Sequence, residues 1–276
     1  MGDPAAPTAL DMHAIVGTHD ILFVTLDTLR YDAAQRCFEQ GRLPTLAQFL
    51  PTGGWEKRHT PASFTYAAHQ AFFAGFLPTP ACPGPHARLF ALAFPGSETT
   101  DANTWIFENC ADIVRGFADL GYRTLCIGGV GFFNRANPLG SVLPDLFDEA
   151  HWSPAFGVTA IDSTERQVAL ACARLQSDDL RAHRCFTFIN VSALHQPNQH
   201  YIPGATEDNL DTQCAALEYV DGALAHLLDA CRQRAPTFVI VCSDHGTAYG
   251  EDGYVGHRIA HEVVMTVPYT HFVLTP

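Results

Sequence analysis

ILFVTLDTLRYD, residues 21–32, opens with six strand-forming residues and stops abruptly at an aspartate. A run with so little alternation suits a strand buried on both faces, as in a parallel sheet, rather than one with a wet side. The same grammar returns further along. CFTFINV at 185–191 runs through SAL into His195, and TFVIVC at 237–242 runs into Ser243, Asp244 and His245. Tyr122–Ile127 closes on the glycines of GGVG, and 270–274 reads as a last strand. Between these runs, helical spacing predicts helices over about 29–40, 65–75, 108–120, 160–177 and 209–234. Gly75 and Pro78 mark the stop of the second, and Leu217, Val220, Leu224 and Leu227 stripe the last. Strands alternating with helices predict an α/β fold, a mostly parallel sheet covered by helices on both faces. No repeat interrupts it. The Pro-rich stretch 78–85 reads as a surface loop, because the alternation continues past it. One domain over 19–276 follows, behind a Pro/Ala-rich leader, 1–18, expected to pack little.

Composition narrows the function. The chain has 276 residues, of which 47% are hydrophobic, enough to fill a core and to exclude disorder as its overall state. Sixteen Lys+Arg against 29 Asp+Glu leave a net charge of −13, with no basic cluster. Such a surface repels nucleic acid and anionic membranes, so the expected partner is a small molecule. Nine cysteines with no CxxC pair read as free thiols in a reducing compartment. With no apolar signal segment and no run long enough to span a bilayer, the expected location is cytoplasmic. Oligomeric state is left open.

Open parallel sheets bind ligands beyond the carboxyl ends of their strands. There the chain places Asp27, His195, Asp244 and His245. Singly, each suits a helix cap, an Asx-turn or a polar loop. Together they form an oxygen/nitrogen set suited to Mn, Zn, Mg or Ca. The predicted helix in SFTYAAHQAFFAG places Thr65 in its first turn, where free N–H groups favour an anion, and His69 four residues on, on the same face. Ser63 competes with Thr65. GGVGFFN is similar to a dinucleotide-binding loop but lacks the third glycine and does not open the first βαβ unit. No GxSxG elbow is present.

Four segments, in order, resemble the alkaline phosphatase/sulfatase superfamily, its sulfatase-like branch most closely. They are ILFVTLDTLRYDA, TPASFTYAAHQAFFAGFLP, GYRTLCIGG and SDHGTAYGEDGYVGHRIAHEVVMTVPY, the last with Glu262 ahead of Val267-Pro268. The whole is similar to a compact bacterial sulfatase-like metallohydrolase. The resemblance implies an alkaline phosphatase-like core with its C-terminal subdomain reduced or missing. It implies that Asp27, Asp244 and His245 bind one divalent metal, that Thr65 is a nucleophile touching it, and that His195 and His257 work at the transferred group. His69 stands where the family keeps an arginine, and with Arg258 is assigned to the substrate. A second metal held by His195, His257 and His200 or His261 is a further possibility. The chain departs from the family at Thr28, which replaces a second metal aspartate, and at Gly129 and Gly131, which replace a lysine and a histidine. Thr65 cannot become formylglycine. The implied activity is therefore that of a metal-dependent phosphoric ester hydrolase or phosphotransferase. Its substrate would be a phosphate or phosphonate mono- or diester, with a covalent Thr65 intermediate as in phosphoethanolamine and glycerophosphate transferases. The alternatives are a sulfate esterase without formylglycine and a catalytically silent metal-binding relative.

Overall fold

In β1 (Asp20–Leu26) the side chains of Leu22, Val24 and Leu26 enter one apolar cluster, and those of Ile21 and Phe23 enter another. A strand buried on both faces must lie inside a sheet, and β1 is its central member. The computed structural model describes residues 10–75 and 111–276. The remaining strands are β2 (Glu56–His59), β3 (Arg123–Ile127), β4 (Glu149–His151), β5 (Cys185–Val191), β6 (Thr237–Cys242), β7 (Ala248–Tyr249), β8 (Val255–Gly256) and β9 (Thr266–Leu274). Among the described residues seven form one sheet in the order β2-β9-β6-β1-β5-β3-β4, and β7 pairs with β8 alone. Strands β6, β1, β5, β3 and β4 run parallel.

The last strand starts earlier than predicted, at Thr266, and runs antiparallel to β6 and β2. A parallel return needs a crossover of a dozen residues or more, usually a helix. The link from β6 carries instead the small β7–β8 pair and two short helical turns, with no crossover helix. The sequence does not announce β2 and β4. Both sit at sheet edges and are short and polar (EKRH and EAH), so no apolar run marks them.

The helices are α1 (Met12–Ile15), α2 (Tyr31–Glu39), α3 (Thr65–Ala74), α4 (Ile113–Asp119), α5 (Pro138–Val142), α6 (Ser163–Leu175), α7 (Asp178–Arg181), α8 (Leu210–Arg234) and α9 (Glu262–Met265). Residues of α2, α6 and α8 pack in the cluster with Leu22 and Val24, and residues of α1, α3, α4 and α5 in the one with Ile21. The leader needs correction. From α1 onward it packs: Ile15 is buried, and the Tyr122 hydroxyl accepts from Gly17 N (2.7 Å) and donates to His19 O (2.8 Å). Residues 1–9 and the Pro-rich stretch 78–85 lie outside the described residues. The seven described cysteines are all unpaired, six of them buried. No described helix is long and apolar enough to cross a membrane.

The strand order has one functional consequence. Strands β6, β1 and β5 are neighbours, so the chain leaving their carboxyl ends converges on one spot.

Candidate active site

Asp27 follows β1, and Asp244 and His245 follow β6. All three are fully buried, and one ligand atom from each lies within 4.8 Å of the others. Thr28 makes the turn possible. Its φ of 64° swings the chain away from the strand. Its amide donates to Asp244 Oδ1 (3.2 Å), its hydroxyl to Leu194 O (3.1 Å), and its carbonyl accepts from Gln213 Nε2 (2.9 Å). The residue standing where the family has a second metal aspartate thus ties together the loops after β1, β5 and β6.

His245 Nδ1 lies 2.8 Å from Gly246 O. A carbonyl only accepts, so Nδ1 carries the proton and the Nε2 lone pair faces the two carboxylates. Gly246 has no room for a side chain: its amide donates to Val264 O (2.7 Å), and a Cβ would meet Val263 O at 2.0 Å. Gly246→Ala is expected to cost about 1–3 kcal/mol by overpacking and to weaken metal binding by shifting His245. Urea unfolding and zinc titration of the same samples check both.

Burial dominates the electrostatics. It raises Asp27 to about 6, with the facing Asp244 charge adding to it, while His195, His245 and the Asn190 amide pull it back. Asp244 rises to about 7, again by burial, against the lowering pull of the Thr28 and His245 amides. His245 falls to about 4 by burial. Asp27 Oδ1 and Asp244 Oδ2 are buried without a hydrogen-bond partner. Two orphaned carboxylate oxygens and an imidazole lone pair at one point are what a divalent cation satisfies, so the residues present fit one. Among the described residues no other such group assembles. His200 packs at a tilt against Tyr201 with ring centroids 4.4 Å apart, and His261 caps α9 and contacts Asp252 at 3.1 Å; neither belongs to the group at Asp27.

Thr65 is the first residue of α3. Its N-cap, Phe64, is extended, and no side chain caps the helix. The Thr65 hydroxyl lies 3.4 Å from Asp27 Oδ2 and 3.3 Å from His245 Nε2. Thr65 lines a cleft of about 410 Å³ together with Val130, Asn134, Asn137, His195 and His257, among others. His195 Nδ1 lies 2.5 Å from Gln196 O, which fixes the proton there and leaves Nε2 as the acceptor. The His257 ring is 4.7 Å from that of His245 and 5.5 Å from that of His195. The chain thus brings Thr65, Asp27, Asp244, His245, His195 and His257 together.

Two residues assigned to the substrate stand apart from this group. His69 is fully buried among Phe72, Phe73, Phe133 and Phe188, and burial lowers it to about 3, so it is neutral and out of reach of a ligand. A helical face that looks polar in sequence turns inward here, because α3 is buried nearly all round. Arg258 is exposed and does not line the cleft; its backbone, at φ 68°, donates to Ser63 O (2.8 Å) and pins the His257 loop to the start of α3. Ser63, the rival of Thr65, is fully buried.

The GGVG loop is no phosphate cradle. A Cβ on Gly128 would meet Phe133 Cβ at 2.1 Å, and one on Gly129 would meet Asn190 O at 2.4 Å. The glycines permit close packing, and the Val130 amide is taken by Asn190 Oδ1 (3.1 Å). Asn190 itself is the residue missed in the sequence. It is fully buried and donates from Nδ2 to Asp27 Oδ2 (3.0 Å). A lone amide side chain inside CFTFINV was the signal.

A model of the sulfatase family matches residues 19–269. No curated protein matches the chain by sequence. Among solved structures, the chain is similar to the C-terminal periplasmic domain of the phosphoethanolamine transferase EptC from Campylobacter jejuni (TM-score 0.59, 13% identity, 93% of this chain and 80% of that one). It is also similar to the lipoteichoic acid synthase LtaP from Listeria monocytogenes (TM-score 0.62, 15% identity), covering 94% of this chain and 65% of that one. A third is the corresponding EptC domain of Escherichia coli in complex with Zn (TM-score 0.59, 12% identity, 94% and 74%). At such identities these likenesses bear on the fold, and they agree with the family match over nearly the whole chain. The chain belongs to the sulfatase family, within the alkaline phosphatase superfamily.

Proposed function

We propose that the protein is a metal-dependent hydrolase or transferase of a phosphate or phosphonate ester that works through a covalent Thr65 ester. The observation that carries this is the Thr65 hydroxyl: it stands 3.3–3.4 Å from two members of the Asp/Asp/His cluster, at the start of a helix no side chain caps, and opens to a cleft. A divalent cation at Asp27, Asp244 and His245 supplies Lewis acidity, lowering the pKa of a nearby hydroxyl and offsetting negative charge. The first turn of α3 adds N–H donors for the non-bridging oxygens. Thr65 Oγ1 forms the bond to phosphorus and the bond to the leaving oxygen breaks. His195 and His257, on the cleft wall, are placed to take up the proton that leaves the Thr65 hydroxyl and to return it to that oxygen. Water, or the hydroxyl of an acceptor, then attacks phosphorus and releases Thr65. A transferase reading draws support from the structural neighbours, one of which is a phosphoethanolamine transferase domain by name. The seven unpaired cysteines fit a reducing, cytoplasmic setting.

The test is a screen with Mn, Zn, Mg or Ca on p-nitrophenyl phosphate, bis-p-nitrophenyl phosphate, a phosphonate monoester and p-nitrophenyl sulfate. Turnover of a phosphorus ester, lost on chelation, is expected, with a phosphorylated Thr65 peptide in acid-quenched samples. Sulfate turnover alone, or no turnover on any ester with metal bound, sinks the proposal.

A further inference from the structure

Neither the cation cluster nor the cleft lining accounts for Asn190, a buried amide at the centre of the sheet. Its backbone carbonyl accepts from Gln167 Nε2 (2.7 Å), which ties it to α6. Its side chain is fully occupied. Nδ2 donates to Asp27 Oδ2 (3.0 Å) and to Thr25 Oγ1 (3.3 Å), and Oδ1 accepts from Val130 N (3.1 Å). The Thr25 hydroxyl meets His69 Nε2 at 3.0 Å, and His69 Nδ1 meets Thr65 O at 2.7 Å.

The direction of each bond follows from chemistry. Thr65 O can only accept, so His69 Nδ1 carries the proton. The imidazole is neutral, so its Nε2 accepts from Thr25, and the Thr25 oxygen accepts from Asn190. One end of this chain is a candidate metal ligand and the other is the backbone of the candidate nucleophile. Asn190 and the Thr65 hydroxyl both contact Asp27 Oδ2, so the oxygen left without a partner is Oδ1.

We propose that Asn190 is a positioning residue: it orients Asp27 Oδ1 toward the cation and, through Thr25 and His69, holds Thr65 at its place beside it. The proposal rests on the active-site reading above. An aspartate at 190 has no donor to offer and sets a like charge against Asp27. An apolar residue leaves Asp27 Oδ2, Thr25 and the Val130 amide without this partner.

Two near-isosteric variants separate the branches, with zinc as the probe. Asn190→Leu removes both branches. Thr25→Val removes only the one toward Thr65 and keeps the bond to Asp27. Zinc affinity is read by competition with a fluorescent chelator, turnover on whichever phosphorus ester the screen identifies, and folding by circular dichroism. Asn190→Leu is expected to bind zinc about 10- to 100-fold more weakly, the usual cost of losing an outer-shell partner. Thr25→Val is expected to bind zinc as the wild type does and to lose roughly tenfold or more in kcat with KM unchanged, as a misplaced nucleophile does. A folded Asn190→Leu protein with wild-type zinc affinity overturns the proposal, as does Thr25→Val with wild-type kcat or with weakened zinc binding. If Asn190→Leu does not fold, Thr25→Val decides alone. Failure of the underlying reading looks different: the wild type then binds no zinc, and both fall together.

Discussion

Thr65→Ala is expected to lower kcat by on the order of 10⁴- to 10⁶-fold, the scale on which removal of a covalent nucleophile is felt. Thr65→Ser is expected to remain within about tenfold of the wild type, since an Oγ is kept and only the rotamer restraint of the β-branch is lost. The contrast is informative because of where the side chain sits. Its hydroxyl faces Asp27 and His245, while its backbone carbonyl is held by His69, so truncation removes the reacting atom without unseating α3. Thr65→Ala is expected still to bind zinc, because Asp27, Asp244 and His245 are untouched. Steady-state and single-turnover rates, with zinc binding on the same samples, check this. Undiminished turnover by Thr65→Ala means that water attacks directly and no threonine ester forms.

The second large effect is an inversion of thermal stability. Asp244→Asn keeps an Oδ1 to accept from the Thr28 and His245 amides, and replaces the orphaned Oδ2 with an amide that can donate to Asp27. Without metal and above about pH 7, where both groups are ionised, the wild type holds two buried carboxylates against each other, and the variant does not. The metal-free variant should therefore melt higher, by roughly 2–4 °C for each kcal/mol of repulsion removed in a domain of this size. Zinc reverses the order. At 100 times its Kd a ligand adds about 2.7 kcal/mol to the protein that binds it, and Asp244→Asn should bind zinc far more weakly, beyond the roughly 10- to 100-fold of an outer-shell loss. Melting curves of both proteins with a chelator and with excess zinc provide the four values needed. If the wild type gains nothing from zinc, the cluster is no metal site.

Much of this was legible because a strand buried on both faces writes a plain signal. Ile21–Leu26, Cys185–Val191 and Thr237–Cys242 each read as unbroken runs, and the polar residue after each run had to lie at a strand end. Asp27, Asp244 and His245 are candidates on that ground, and Thr65 by its place at a helix start. Edge strands such as β2 and β4 leave no such mark, since one unpaired side frees their composition. His69 misled for a related reason. Spacing places it on the face of Thr65, but not on the side of α3 that meets solvent, and α3 has almost no such side. Asn190, a single amide in an apolar strand, says nothing of what it touches until β1 lies beside it.

The sequence by itself determined which segments become strands and helices and which side chains stand at their ends, because periodicity, caps and turn residues act over a few positions. Tertiary structure alone decided that β6, β1 and β5 are neighbours, that Asp27 and Asp244 face each other with one bare oxygen apiece, and that His69 supports Thr65 rather than a substrate. Those outcomes depend on contacts between residues far apart in the chain, on the desolvation that burial imposes, and on hydrogen bonds whose direction is set only when both partners are in place.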